Sequence, residues 1–130
     1  MSVQRRLPIE MVALGFLFRS PDHGYRLYRR VREELGFFWY IGIGHLYNIL
    51  RAMEQKGWVT SHRAPRHERS SRKVYHITPA GREVFLDWAR TPVRSVRDVR
   101  VEFLAKLYFH RVLGLEGTEE LLRAQRSLLQ

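Results

Sequence analysis

The stretch GHLYNILRAMEQKGWVTSHRAPRHERSSRKVYHITPAGR, Gly44 to Arg82, decides how this chain is read. It opens on a helical pattern. Leu46, Ile49, Leu50 and Met53 recur on one face from about His45 to Lys56, and Gly57 marks the stop. The other face carries His45, Asn48, Arg51 and Gln55, with Tyr47 at its side. WVTSHR and KVYHIT then read as two short strands, each with β-branched and aromatic residues. The tip between them is APRHERSSR. Arg63, Arg66, Arg69, Arg72 and Lys73 make this hairpin basic, and Glu68 is its one acid. Helix, strand, charged tip and strand in that order predict a winged helix-turn-helix, with the helix suited to the major groove. An exposed loop carries charge at little cost and is well placed to lie along phosphates.

The flanks extend this reading. After Pro8, IEMVALGFLFR is apolar on nearly all sides, which predicts a first helix buried on more than one face. SPDHG breaks the pattern, and Ser20 or Asp22 suits the cap of a second helix. In YRLYRRVREELG, Tyr25, Tyr28, Val31 and Leu35 fall on one stripe, the arginines lie mostly away from it, and Gly36 ends the helix. FFWYIGIG reads as a loop, aromatic and then glycine-rich. Beyond the hairpin, Thr78 followed by Pro79 is an N-cap with a first-turn proline. PAGREVFLDWAR then sets Val84, Phe85 and Trp88 at core spacing, and Thr91–Pro92 ends the helix. Val101, Leu104, Leu107, Tyr108 and Val112 form a broad apolar face that wants a partner. GLEGTEELLRAQRSLLQ adds an amphipathic piece capped by Thr118, with Leu121, Leu122, Leu128 and Leu129 expected to face inward. The fold class expected is mainly α with a small β-hairpin. A DNA-binding domain is expected over residues 1–90 and a C-terminal helical dimerisation region over 94–130. The chain ends without a C-terminal stop signal, so a natural short form and a piece of a longer protein both stay open.

Composition narrows the function classes. Of 130 residues, 45% are hydrophobic and 12% aromatic, enough for a packed core rather than a disordered chain. The net charge is +10. Residues 1–73 hold 14 Lys/Arg against 6 Asp/Glu, while residues 74–130 hold 9 against 7, so the excess sits around the predicted wing and before it. A polyanionic partner is the natural inference. The absence of cysteine excludes disulfides, thiolate metal sites and a cysteine nucleophile, and is compatible with a cytoplasmic location. The six histidines form no i,i+4 pair, no phosphate-binding loop appears, and the carboxylates are scattered. We therefore expect no catalytic residues, no metal, no cofactor and no enzyme activity. No apolar run reaches the ~18 residues of a membrane helix. Arg5 and Arg6 before an apolar stretch imitate a secretory leader, but Glu10 interrupts that stretch and no small-residue cleavage site comes after it.

The residues now resemble a family. His23-Gly24-Tyr25 opens the second helix, Gly44, Leu46, Tyr47 and Leu50 fit Gly-x-Leu-Tyr-x-x-Leu, and Tyr75, Thr78 and Gly81 fit Tyr-x-x-Thr-x-x-Gly. VRVEFLAKLYF supplies a fourth match at Arg100, Phe103, Lys106, Leu107 and Phe109. Four motifs in this order, across roughly residues 9–110, resemble the PadR family of bacterial transcriptional regulators. The chain departs from the family at Asn48, usually proline, and at Gly42, near which serine or threonine is usual. Asn48 can read adenine, which proline cannot. The resemblance implies a homodimer on double-stranded DNA with a palindromic operator, and on the helix face and wing read above the DNA-facing residues expected are Tyr25, His45, Tyr47, Asn48, Arg51, Gln55, Arg66, Arg69, Arg72 and Lys73. It implies dimerisation through Val101, Leu104, Leu107, Tyr108 and Val112. It also implies response to a small aromatic or hydrophobic effector, for which Phe38 and Trp39 are pocket candidates. Ordinary core packing of those aromatics is the other reading. A ligand-responsive repressor is the function expected. A non-specific nucleic-acid binder and a protein-interaction adaptor on the same fold stand as alternatives.

Overall fold

Residues Met11 to Leu17 are all buried, which makes α1 (Ile9–Arg19) the helix around which the first part of the chain packs. The structure, a computed structural model, describes residues 9–36, 40–63, 72–94 and 102–129. An apolar helix with no polar stripe must be covered on several sides. Here α2 (Gly24–Leu35), α3 (Ile43–Gln55) and β3 (Lys73–Ile77) all contact it.

Helix α2 buries Gly24, Leu27, Val31 and Leu35. The expected stripe starts instead with Tyr25 and Tyr28. Tyr25 is 48% exposed and Tyr28 half-buried, because the phenols flank the aliphatic row, where their hydroxyls can reach polar partners. The Tyr28 hydroxyl accepts from Arg32 Nη1 at 3.1 Å. The cap also differs from expectation. His23, not Ser20 or Asp22, is the N-cap, and its ring accepts the Arg26 N–H. Asp22 is committed elsewhere. Its buried carboxylate takes Arg30 Nη1 at 2.9 Å and the His23 N–H at 3.0 Å. Arg30 also donates to the Phe16 carbonyl at 3.2 Å, which ties the end of α1 to α2.

Helix α3 begins two residues before the expected start, with Gly42 as an N-cap that has no side chain to offer. Its buried face is the expected Leu46, Ile49, Leu50 and Met53. Gly57 adopts φ +82°, the Trp58 N–H bonds the Met53 carbonyl at 3.0 Å, and the Gly57 N–H bonds that of Glu54 at 3.1 Å. This double closure is the Schellman stop that a left-handed glycine permits.

The hairpin pairs β2 (Val59–Arg63) with β3 in antiparallel register, Val59 opposite Ile77 through Arg63 opposite Lys73. A further strand, β1 (Asp22–His23), lies on the other side of β3 and gives the order β1-β3-β2. Two residues carry no readable period, so the sequence does not announce β1. Helix α4 (Pro79–Arg90) starts as Thr78–Pro79 predicts. The Thr78 hydroxyl accepts the Gly81 N–H at 3.0 Å and donates to the Gly57 carbonyl at 2.7 Å. A Cβ on Gly81 would lie 2.2 Å from the Trp58 carbonyl oxygen, so only glycine allows this approach.

The chain divides into two compact units, one spanning Ile9–Phe85 and the other beginning at Leu86. In the second, α5 (Leu104–Leu113) and α6 (Thr118–Leu129) gather around the end of α4. Three buried polar side chains hold that end. The Lys106 ammonium donates to the carbonyls of Trp88, at 2.8 Å, and Thr91, and lies 3.7 Å from Glu102 and 4.8 Å from the Trp88 ring centre. Burial lowers its pKa from the ordinary lysine value, and Glu102 opposes the shift. His110 Nε2 meets the Ala89 carbonyl at 2.8 Å. The Gln125 amide both accepts from the Val93 N–H and donates to the Val93 carbonyl, each at 2.6 Å. Carbonyls at the end of α4 that lack helical partners thus find side-chain donors.

Two expectations for this unit are corrected. The Thr118 hydroxyl opens α6 without taking one of its N–H groups, and instead meets His110 Nδ1 at 2.8 Å and the Leu115 carbonyl at 3.2 Å. Leu121 faces inward, but Leu122 and Leu128 are exposed by 44% and 42%. The residues of α5 that face inward are Ala105, Lys106, Phe109 and His110. Leu104 and Val112 are exposed, while Leu107 and Tyr108 are half-buried. Val101 and the Leu129 side chain lie outside the described residues.

Replacing Gly81 with alanine should cost about 2 kcal/mol in urea unfolding, since the added carbon meets backbone. Lys106→Met should cost about 3 kcal/mol, because Glu102 and two carbonyls then lose a buried cation.

Candidate nucleic-acid interface

The outer face of α3 is polar because its inner face is spent on Leu46, Ile49, Leu50 and Met53. His45, Asn48, Arg51 and Gln55 are all exposed there. Asn48 and Arg51 are one turn apart and joined, with the guanidinium donating to the amide oxygen. The outward amide hydrogens of Asn48 are thereby oriented by Arg51. Tyr47 is half-buried, for a reason that lies in its neighbour. A Cβ on Gly24 would come within 2.3 Å of Tyr47 Cε1, so the ring rests directly on the start of α2.

That contact forms one wall of a depression of about 380 Å³, lined by His23, Gly24, Tyr25, Tyr47, Arg51, Arg63, Arg72, Lys73 and Tyr75. Each element brings a part. Helix α2 presents its N-terminal end, α3 presents Tyr47 and Arg51, and the base of the hairpin presents Arg63, Arg72 and Lys73. Among the described residues, no carboxylate belongs to the lining. Arg63 and Lys73 are direct partners across the strands, an arrangement of like charges that is unfavourable by itself and favours an anion nearby. Burial raises the Tyr75 phenol above the ordinary tyrosine value, and Glu54 reinforces this, so Tyr75 remains a neutral donor. A concave site with guanidinium forks, phenols and a helix N-terminus is chemically suited to bind oxyanions such as phosphates.

Of the site residues expected from sequence, Tyr25, Tyr47, Arg51, Arg72 and Lys73 meet in this depression. His45, Asn48 and Gln55 share the exposed α3 face but do not line it. Arg66 and Arg69, at the wing tip, and Phe38 and Trp39 lie outside the described residues. His23 is not among the sites expected, whereas Arg63 is counted in the basic hairpin expected to lie along phosphates. Arg63 has a signal, since its register with Lys73 comes from pairing the two strands symmetrically. His23 has none, because its place depends on β1. Among the described residues, no group of three or more His, Cys, Asp and Glu side chains is placed to hold a metal ion. Among them too, no helix is long and apolar enough to cross a membrane.

Comparison with known proteins places this geometry. The profile described as "Transcriptional regulator PadR-like family" matches residues 13–87. A probable transcriptional regulator of Mycobacterium tuberculosis is 35% identical over 84 residues, which cover 65% of this chain and 44% of the relative. The negative transcriptional regulator PadR of Bacillus subtilis is 26% identical over 117 residues, covering 90% of this chain and 64% of that protein. The chain thus spans less than two thirds of the length of either curated relative. The crystal structure of Bacillus subtilis PadR in complex with operator DNA superposes with a TM-score of 0.65 at 26% identity, over 79% of this chain and 58% of that one.

Gly24→Ala should leave the fold intact but push the Tyr47 ring out of its seat. We expect a cost of about 1 kcal/mol and a changed near-ultraviolet circular dichroism spectrum, read by thermal unfolding and spectroscopy.

Proposed function

From the premise that the chain belongs to the PadR-like family of transcriptional regulators, we propose that it binds DNA sequence-specifically as a homodimer and represses transcription from a palindromic operator. One observation carries this reading. The exposed face of α3 and the basic depression at the base of the wing lie side by side within one compact unit, sharing Tyr47 and Arg51. The first offers base-reading groups and the second offers phosphate-binding ones. Helix α3 enters the major groove, where Asn48 reads a base edge and its partner Arg51 meets a guanine or the backbone. Arg72 and Lys73, with Arg66 and Arg69 at the tip, contact phosphates and supply affinity that does not depend on sequence. Tyr25, His45 and Gln55 complete the contact surface.

Dimerisation is assigned to the second unit. Leu104 and Val112 on α5 and Leu122 and Leu128 on α6 are exposed apolar side chains, and a second copy of the chain would cover them. Val101, Leu107 and Tyr108 belong to the same proposed face. Two-fold symmetry then sets two copies of α3 about 34–36 Å apart, in successive major grooves. Repression is supported by the Bacillus subtilis relative, a negative regulator whose crystal structure contains operator DNA. A small aromatic effector near Phe38 and Trp39 would favour a dimer spacing that no longer fits the operator, a shift of populations. Work on chromosomal DNA sets the protein in the cytoplasm.

The test is selection from a random-sequence duplex library at ~150 mM salt. A two-fold symmetric site, preferred by roughly 10³-fold over random DNA, is expected. Equal affinity for all duplexes would indicate a non-specific binder, and no binding would indicate an adaptor. On the selected site, Lys73→Ala should weaken every sequence alike and lower the salt slope by about 0.9. Asn48→Ala should change the preference at one base position, by about 1–3 kcal/mol. Titrating aromatic compounds into the complex should release DNA if the effector reading holds.

A further inference from the structure

The ring of His23 faces two hydrogen-bond donors at once. Its Nδ1 lies 3.3 Å from the Arg26 N–H that it caps, and its Nε2 lies 3.3 Å from Arg72 Nη1. A neutral imidazole has one lone-pair nitrogen and an imidazolium has none. The two contacts therefore cannot both be hydrogen bonds. If Nδ1 caps α2, the proton sits on Nε2, and an N–H group then points at a guanidinium N–H. If Nε2 accepts from Arg72, the cap is lost.

The surroundings do not relieve this conflict. The Asp22 carboxylate bonds Arg30 and the backbone N–H of His23. Among the described residues, the other charged groups that line the depression are Arg51, Arg63 and Lys73, all cations. An acceptor carrying negative charge fits between Nε2–H and Arg72. One oxygen of a phosphate would take both N–H groups, leave Nδ1 free to cap α2, and sit at the positive end of that helix.

We propose that His23 is a positioning donor for one phosphate of the DNA backbone, with its tautomer set by the α2 cap and its Nε2–H paired with Arg72 on a single phosphate oxygen. This rests on the DNA-binding reading and adds a residue and a proton position to it. Capping couples the two roles, since the bond that holds the start of α2 also keeps the donor on the outward nitrogen. His23 thereby fixes where the backbone runs relative to α3, and so which base edges Asn48 and Arg51 meet.

The test uses the full chain, labelled with ¹⁵N at histidine, and the tightest duplex recovered by selection. Long-range proton–nitrogen correlation spectra should show His23 unprotonated at Nδ1 in the complex, with an Nε2–H that exchanges more slowly than in the free protein. A proton on Nδ1, or an Nε2–H that exchanges equally fast in both states, overturns the proposal. A second measurement replaces backbone phosphates one at a time by uncharged methylphosphonate. Wild type should lose about tenfold in affinity at one position in each half-site. His23→Asn keeps a capping oxygen and should stay folded, yet show a clearly smaller loss at that same position, where Arg72 alone still meets the phosphate. Equal losses for both proteins at every position overturn the proposal as well. Absence of binding to any duplex overturns the DNA-binding reading itself, whereas binding with the wrong tautomer overturns only the role of His23.

Discussion

The first turn of α4 approaches the backbone at Trp58 more closely than any side chain would permit, and the order of the first unit depends on that contact. Gly81 makes the approach possible, and Thr78 fixes it by accepting the Gly81 N–H and donating to the Gly57 carbonyl. The Thr78 N–H adds a bond to the Trp58 carbonyl at 3.0 Å. Helix α3 ends at Gly57 and β3 ends at Ile77, so this small knot joins the exit of the helix to the exit of the hairpin. With both ends tied, β2 and β3 keep a single register and the base of the wing stays beside α3. The Tyr-x-x-Thr-x-x-Gly pattern is thus a description of a contact: a buried ring, a bridging hydroxyl and a missing side chain.

A second close approach builds the site. Tyr47 lies on Gly24, and this brings the capped start of α2 next to the polar face of α3. The result is a concave surface rich in positive charge and built by three elements. Such a surface does not serve stability. Arg63 opposite Lys73 and the doubly claimed ring of His23 are both unfavourable in isolation. Local conflicts of this kind, in a structure whose core and caps otherwise agree, are in keeping with the phosphate-binding role proposed for this surface.

The second unit solves a different problem. Where α4 stops, its last carbonyls and the segment after it need hydrogen-bond partners. Lys106, His110 and Gln125 supply them from α5 and α6. Each is buried and each is polar, so each makes its inward face specific rather than merely apolar. The apolar side chains that remain, including Leu104, Leu122 and Leu128, are left on the outside.

Much of this is legible in the chain because it is local. The buried row of α3, the stop at Gly57, the strands around a basic tip and the Thr78–Pro79 start all rest on spacing, backbone preference or charge within a few residues. So does the assignment of Arg51, Arg72 and Lys73 to the basic surface. The misses share another cause. Tyr25 and Leu27 both fit an apolar stripe, and only the position of α1 decides which is covered. Leu121 and Leu122 are adjacent leucines, and only the packing of α6 separates them. His23 becomes a cap because β1 pairs with β3 and Asp22 is already engaged by Arg30. Lys106 stands in the fourth motif with no role of its own to read, and acquires one only when the end of α4 is placed beside it. A sequence states which groups need partners, and tertiary structure decides which partners come within reach, since hydrogen bonds and burial act over a few ångströms between residues far apart in the chain.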